Sequence, residues 1–266
     1  MKNKVVAIWS PMAREGKTVT AISLAYRLSR LTEDVRLLDL DLKTPMVHEY
    51  LNIEDPIHNL DNLMPFVEGR NLNEEIIQLN LVNQDGISLL QGTLRPENAE
   101  YYSVSQIQPI IDETSKTASV LLVDVCNQLD NAATCLALQN ADIVYVLLEQ
   151  NILHLKMLNK IFPILKNSFP FANFRFVINK YDKNIALKEL NIEHEFGIKI
   201  SHIIPLIKKD IVNIINMGQY PDEILKDNSK IMREYWTAIE EMALSILKEF
   251  DITPKEQEKE KKGLFR

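Results

Sequence analysis

Three short groups of residues in this chain have the types and spacing to do chemistry on a phosphate. The first is Gly16-Lys17-Thr18, which follows an apolar run, Val5-Val6-Ala7-Ile8-Trp9, and a turn, Ser10 to Glu15. An apolar, helix-like segment begins at the triplet. A GK[ST] triplet between a strand and a helix is a phosphate-binding arrangement. Backbone N–H groups at the helix start point at the anion, the helix dipole favours it, and the lysine adds a point charge. Arg14, Glu15 and Val19 flank the triplet and belong to the same cradle, and the Thr18 hydroxyl is a ligand for the Mg²⁺ that accompanies nucleotide phosphates. The second group is Asp39 and Asp41, two residues apart and therefore on one face of a strand. One of them can hold Mg²⁺ through water while the other orients an attacking water, the two tasks phosphoryl transfer requires. The third is Asp124, which closes Val120-Leu121-Leu122-Val123-Asp124. A strand ending in aspartate is common, and paired strand-end carboxylates also serve as helix caps. It is the coincidence of all three groups that points to a Mg²⁺–nucleotide site. One feature departs from the usual loop: Pro11 stands where its first glycine would be, and Gly16 is its only glycine.

These residues need elements to position them. Nearly uninterrupted apolar runs predict strands at Val5–Trp9, Val35–Asp41, Ile87–Gln91, Ser119–Val125, Asp142–Leu148, Phe174–Ile178 and His202–Leu206. Helical spacing predicts helices over Val19–Leu31, Met46–Leu51, Asn73–Leu79, Val104–Ser115, Asn131–Asn140, Ile152–Lys166 (kinked at Pro163), Lys209–Met217 (capped by Gly218) and Ser229–Phe250. Strands buried on both faces and alternating with helices imply an α/β fold: a mostly parallel twisted sheet of about seven strands with helices on both sides. In such sheets ligands sit outside the carboxyl ends of the strands, which puts Asp39, Asp41 and Asp124 beside the loop. Residues 1–250 read as one domain and 251–266 as a charged, disordered tail.

The whole chain sets bounds. Its 266 residues, 46% hydrophobic and 25% charged, are enough for a sizeable core. A net charge of −7 argues against a constitutive nucleic-acid surface. Cys126 and Cys135 fit reduced thiols rather than a disulfide framework, and the five histidines show no metal-ligand spacing. No apolar run approaches the ~18 residues that span a bilayer, and no signal-peptide pattern opens the chain. The expected location is the cytoplasm.

The order GKT, then Asp39-Leu40-Asp41, then Leu121-Leu122-Val123-Asp124, then Ile178-Asn179-Lys180 resembles the ParA/MinD family of deviant-Walker ATPases. The resemblance runs over roughly residues 3–250 and implies a P-loop NTPase fold of the SIMIBI type, with ATP and Mg²⁺ as cofactors. It implies Lys17 on the phosphates, Thr18, Asp39 and Asp124 at the metal, and Asp41 positioning the water. Asn179 would contact the base, and Pro205, in the proline-containing loop after the last strand, would line it. Within the family the chain looks most like the MinD branch that includes the CpaE/TadZ-type pilus-assembly ATPases. By resemblance it would form a homodimer on ATP binding and recruit or position an assembly at the cell envelope or pole, in pilus or secretion, division or partition machinery. The family's loop reads KGGxGKT, and its lysine reaches across the dimer to the partner's phosphates. Here Met12 stands at that lysine, Ala13 and Arg14 replace two glycines, and Arg14 is the candidate replacement charge. Two outcomes follow, an ATPase that turns over slowly and a localisation scaffold that keeps the fold without turnover. A second resemblance is to bacterial tyrosine kinases, through Glu15-Gly16-Lys17-Thr18 and Asp39-Leu40-Asp41-Leu42-Lys43-Thr44-Pro45, but no tyrosine follows Tyr235. The last residues, Lys261 to Arg266, resemble the start of a basic amphipathic membrane-targeting helix. They contain two apolar residues, enough only for weak contact with the inner face of the membrane.

Overall fold

Strands apolar on both faces can be buried only in a sheet covered twice, and the chain builds one such sheet. The structure, a computed structural model, describes residues 4–207, 212, 213, 215, 217, 220 and 229–255. In chain order its elements are β1 (Val5–Trp9), α1 (Lys17–Leu31), β2 (Val35–Leu40), α2 (Val47–Tyr50), α3 (Leu60–Glu68) and α4 (Glu74–Leu79). There follow β3 (Val82–Gln84), β4 (Ile87–Leu90), α5 (Val104–Ser115), β5 (Val120–Val125), α6 (Ala132–Asn140) and β6 (Ile143–Leu148). The chain continues through α7 (Ile152–Ser168), β7 (Asn173–Tyr181), α8 (Glu189–Phe196), β8 (Ile200–Pro205) and a long helix, α9 (Lys230–Glu249). The strand order is β3-β4-β2-β5-β1-β6-β7-β8, parallel throughout except for β3.

The expected parallel sheet is present, with eight strands rather than about seven. The extra strand, β3, pairs antiparallel with β4. Asp85 and Gly86 join the two with φ of 52° and 84°, the left-handed pair of a two-residue hairpin turn. The Asp-Gly dipeptide was the sequence signal for it. Two helices also lie where none was expected. In α3, Asn59 caps the start by accepting the N–H groups of Asp61 and Asn62. Gly197, at φ 61°, closes α8. Of the helix expected over Lys209–Met217, residues Val212, Asn213 and Ile215 are helical and Met217 is in a turn, its N–H on the Asn213 carbonyl (3.1 Å); the rest, with its Gly218 cap, lies outside the described residues. At the carboxyl end the chain stays docked through Lys255, whose N–H donates to the Leu31 carbonyl (2.7 Å). The remainder of the expected tail lies outside the described residues.

One sheet face is covered by α1 and α9. The apolar stripe of α9, Met232, Tyr235, Ile239, Met242 and Ile246, recurs every three or four residues and faces Ile22, Leu24 and Leu28 in the same cluster. Residues from α3 to α8 form the core on the other face. No described helix is long and apolar enough to cross a membrane. Arg36, fully buried at the start of β2, ties three elements together. Its guanidinium donates to Asp34 (2.9 Å), Glu74 (2.7 Å), the Thr114 carbonyl (2.9 Å) and the Thr117 hydroxyl (2.6 Å). Replacing it with leucine strands these partners, so Arg36→Leu is expected to lower unfolding stability by ~2–3 kcal/mol. Urea titration checks this; a loss under ~1 kcal/mol would show that solvent reaches the stranded groups.

Candidate functional site

β1 lies between β5 and β6, and its register pairs Ile8 with Asp124, while β2 pairs Asp39 with the same Asp124. The loops after β1, β2 and β5 therefore open at one edge of the sheet. The first of them, Ser10 to Gly16, is held by its own polar groups. The Ser10 hydroxyl donates to the Met12 carbonyl (2.6 Å), and the Met12 N–H donates to Glu15 Oε2 (3.3 Å). Gly16 takes φ 89° and begins α1 with no side-chain cap. The N–H groups of the first turn are thus available to an anion.

A cavity of about 650 Å³ lies over this helix start, within the range of small-molecule sites. Arg14, Gly16, Lys17, Thr18, Val19 and Asp41 line it, together with Asn179 and Pro205. Leu206, Ile207 and Ile215 add apolar lining, and Tyr235, whose hydroxyl meets that of Ser23 (2.5 Å), lines it too. Eight of the residues singled out from sequence thus meet around one space.

The other three lie behind the cavity wall. Asp124 is buried, with Oδ2 accepting the Thr18 hydroxyl (2.6 Å) and Oδ1 without a partner among the described residues. Asp39 is also buried. Its oxygens accept the N–H groups of Asp41 (3.1 Å) and Val47 (3.2 Å), so it anchors the start of α2. Glu15 points away from the cavity: its backbone belongs to the loop, but its carboxylate is buried beneath, against His154 Nδ1 (3.1 Å).

Charge is crowded here. Burial, then the fields of Asp124 and Asp41, raise the pKa of Asp39 well above the ordinary carboxylate range. Burial pushes Asp124 up to about 7 against the opposing pull of Lys17 and the Thr18 hydrogen bond, and Asp41 adds to the rise. Lys17, 7% exposed, is the cation facing this group. Among the described residues no three His, Cys, Asp or Glu side chains could hold a metal by themselves.

A family model described as the CobQ/CobB/MinD/ParA nucleotide binding domain (CbiA) matches residues 6–213. The chain belongs to this family. Solved structures agree on the fold. A ParA family ATPase from Chlorobium tepidum TLS superposes with a TM-score of 0.77 at 16% identity, covering 91% of this chain and 98% of that one. MinD in the MinC:MinD cell division complex of Aquifex aeolicus gives 0.72 at 17% identity, covering 92% and 96%. The septum site-determining protein MinD of Pyrococcus horikoshii OT3, complexed with Mg-ADP, gives 0.71 at 16%, covering 90% and 95%. No protein of curated function matches the sequence.

Sequence reasoning missed several residues of this ParA/MinD-type site. Met46, Tyr50 and Asn127 line the cavity. The Asn127 carbonyl accepts the Trp9 indole N–H (3.2 Å), which ties the loop after β5 to the end of β1. His154, read from sequence as a structural or surface residue, supports the loop through Glu15 across 139 positions. No local signal marks that contact.

The buried Glu15 has a consequence for stability. Burial raises its pKa from 4.5 to about 8, the Met12 N–H opposes the rise, and the Glu149 carboxylate adds to it. A carboxyl group that binds its proton more tightly when folded adds stability below its unfolded pKa and loses it as pH rises. The loss should run from about pH 4.5 to about 8. Glu15→Gln removes this titration, so the variant should gain on wild type in thermal stability as pH rises through that window. Parallel melting curves for the two proteins would show that Glu15 is solvated.

Proposed function

We propose that this chain is an ATP–Mg²⁺-binding switch of the ParA/MinD kind, whose nucleotide state controls pairing with a second copy. The observation that carries the reading is the Thr18–Asp124 hydrogen bond beside Lys17, with the unpartnered Asp124 Oδ1 behind an uncapped helix start. An orphaned buried carboxylate oxygen next to a threonine hydroxyl fits a divalent cation. Thr18 would be a direct ligand, and Asp124 and Asp39 would act from behind it. When bound, the ion would neutralise charge on the phosphates.

The chain's own groups have separable roles. Lys17 and the N–H groups from Arg14 to Val19 bind and orient the phosphates. Asp41 faces the cavity, where it can hold the attacking water. Asn179 has one amide hydrogen and one lone pair remaining after its protein contacts, and these can meet the base over Pro205. Met12, Ala13 and Arg14 stand at the loop tip, with Ala13 and Arg14 exposed, where a second copy would meet the site. The Aquifex MinD neighbour is held in a complex with MinC; by analogy, the pair formed here would recruit a protein of an envelope, division or partition assembly from the cytoplasm or the inner membrane face. A second reading keeps binding but not turnover. It is favoured by Met12 at the place of the family's cross-dimer lysine.

Calorimetric titration with Mg²⁺–ATP should show binding that Lys17→Ala weakens by at least about tenfold, the scale of one charge-assisted contact. No binding by wild type would sink the proposal. Light scattering should report dimers with Mg²⁺–ATP and monomers with Mg²⁺–ADP. Phosphate release that Asp41→Ala abolishes, with affinity kept, would establish the ATPase. Tight binding without release would leave the scaffold, and transfer to tyrosine would move the protein to the kinase class.

A further inference from the structure

The loop from Pro11 to Gly16 has one glycine, yet it bends as glycine-rich loops do. Arg14 lies at φ 67°, in the left-handed region that L side chains rarely adopt. Lys180, at the end of β7, also lies there, at φ 53°. These two strained residues touch, because the Lys180 ammonium donates to the Arg14 carbonyl while pairing with Glu149. The neighbouring carbonyl, of Glu15, accepts Asn179 Nδ2 (2.7 Å), and Asn179 Oδ1 accepts the Lys180 N–H (2.9 Å). Gly16 completes the contact, since a Cβ there would stand 2.3 Å from Asn179 Nδ2. Left-handed backbone at an ordinary residue persists only where its surroundings impose it.

We propose that Asn179-Lys180 is a strap that holds this glycine-poor loop in its anion-binding shape, replacing by hydrogen bonds the freedom that glycines would supply. The peptide group is planar and trans, so each N–H points opposite its carbonyl. Holding the carbonyls of Arg14 and Glu15 therefore fixes the direction of the Glu15 and Gly16 N–H groups. Lys180 acts through backbone, which makes it a positioning residue. The strap gives Lys180 a role that its sequence position did not reveal, and it gives Asn179 a second one besides the base. The inference rests on the phosphate-binding reading of the loop, but one of its tests does not.

That test is tryptic cleavage after Arg14 in ligand-free protein. Lys180→Met should speed the cut about tenfold, the effect of losing one charge-assisted hydrogen bond, with little change in melting temperature. An unchanged rate overturns the strap. The second test is a double-mutant cycle on Mg²⁺–ATP affinity. Lys180→Met should weaken binding about tenfold when residue 14 is arginine, and less than about twofold once Arg14→Gly has removed the strain. Equal losses in both backgrounds would mean that Lys180 touches the nucleotide directly, and would overturn the proposal. If Lys180→Met fails to fold, Glu149→Gln, which removes the lysine's counter-charge, takes its place in both arms. Should wild type bind no nucleotide, the switch reading falls, while the cleavage rates still decide the strap.

Discussion

Asp39 and Asp124 face each other on adjacent parallel strands, both buried, with Asp41 just beyond. Like charges placed this way repel and resist ionisation, and burial adds to the cost. The rest of the site can be understood as the means of tolerating them. Two backbone N–H groups hold Asp39, a hydroxyl holds one oxygen of Asp124, and Lys17 supplies a positive charge from the helix start. What they leave unsatisfied, one oxygen of Asp124, is what a phosphate-bound cation would complete. A stability-driven fold would bury apolar side chains here instead.

The loop over these carboxylates is under a constraint of another kind. Its backbone must bring N–H groups together, a task usually given to glycine because glycine adopts positive φ at little cost. In this loop glycine is kept only at position 16, where a Cβ would collide with the Asn179 amide. Elsewhere it relies on contacts from the surrounding fold. Glu15 is anchored beneath against His154, and the two carbonyls of residues 14 and 15 are tied to the end of β7. A loop of this kind depends on β7 and α7 being in place. Family membership and fold are shared with ParA and MinD proteins.

Much of the architecture was legible from local pattern. Apolar runs such as Val120–Val125 and Ile143–Leu148 can satisfy their backbone and bury both faces only in a covered parallel sheet, and each is such a strand. The edge was harder. β3 is three residues long and only partly buried, so its pattern is too short to stand out, although Asp85-Gly86 marked the turn. α3 and α8 were hidden by Pro65 and by mixed polar composition.

The placement of consecutive residues was readable at once: Gly16-Lys17-Thr18 and the strand-end aspartates belong to a strand–loop–helix plan that short-range periodicity defines. Contacts between residues far apart were decided only by the folded chain. Glu15 turns down to His154, Asn179 bonds the loop 164 positions away, and Lys180 reaches Arg14 across 166. These pairings depend on strand register and on how α7 seats against β7. A local pattern specifies which residues form a strand, but the register between strands comes from packing of the whole sheet.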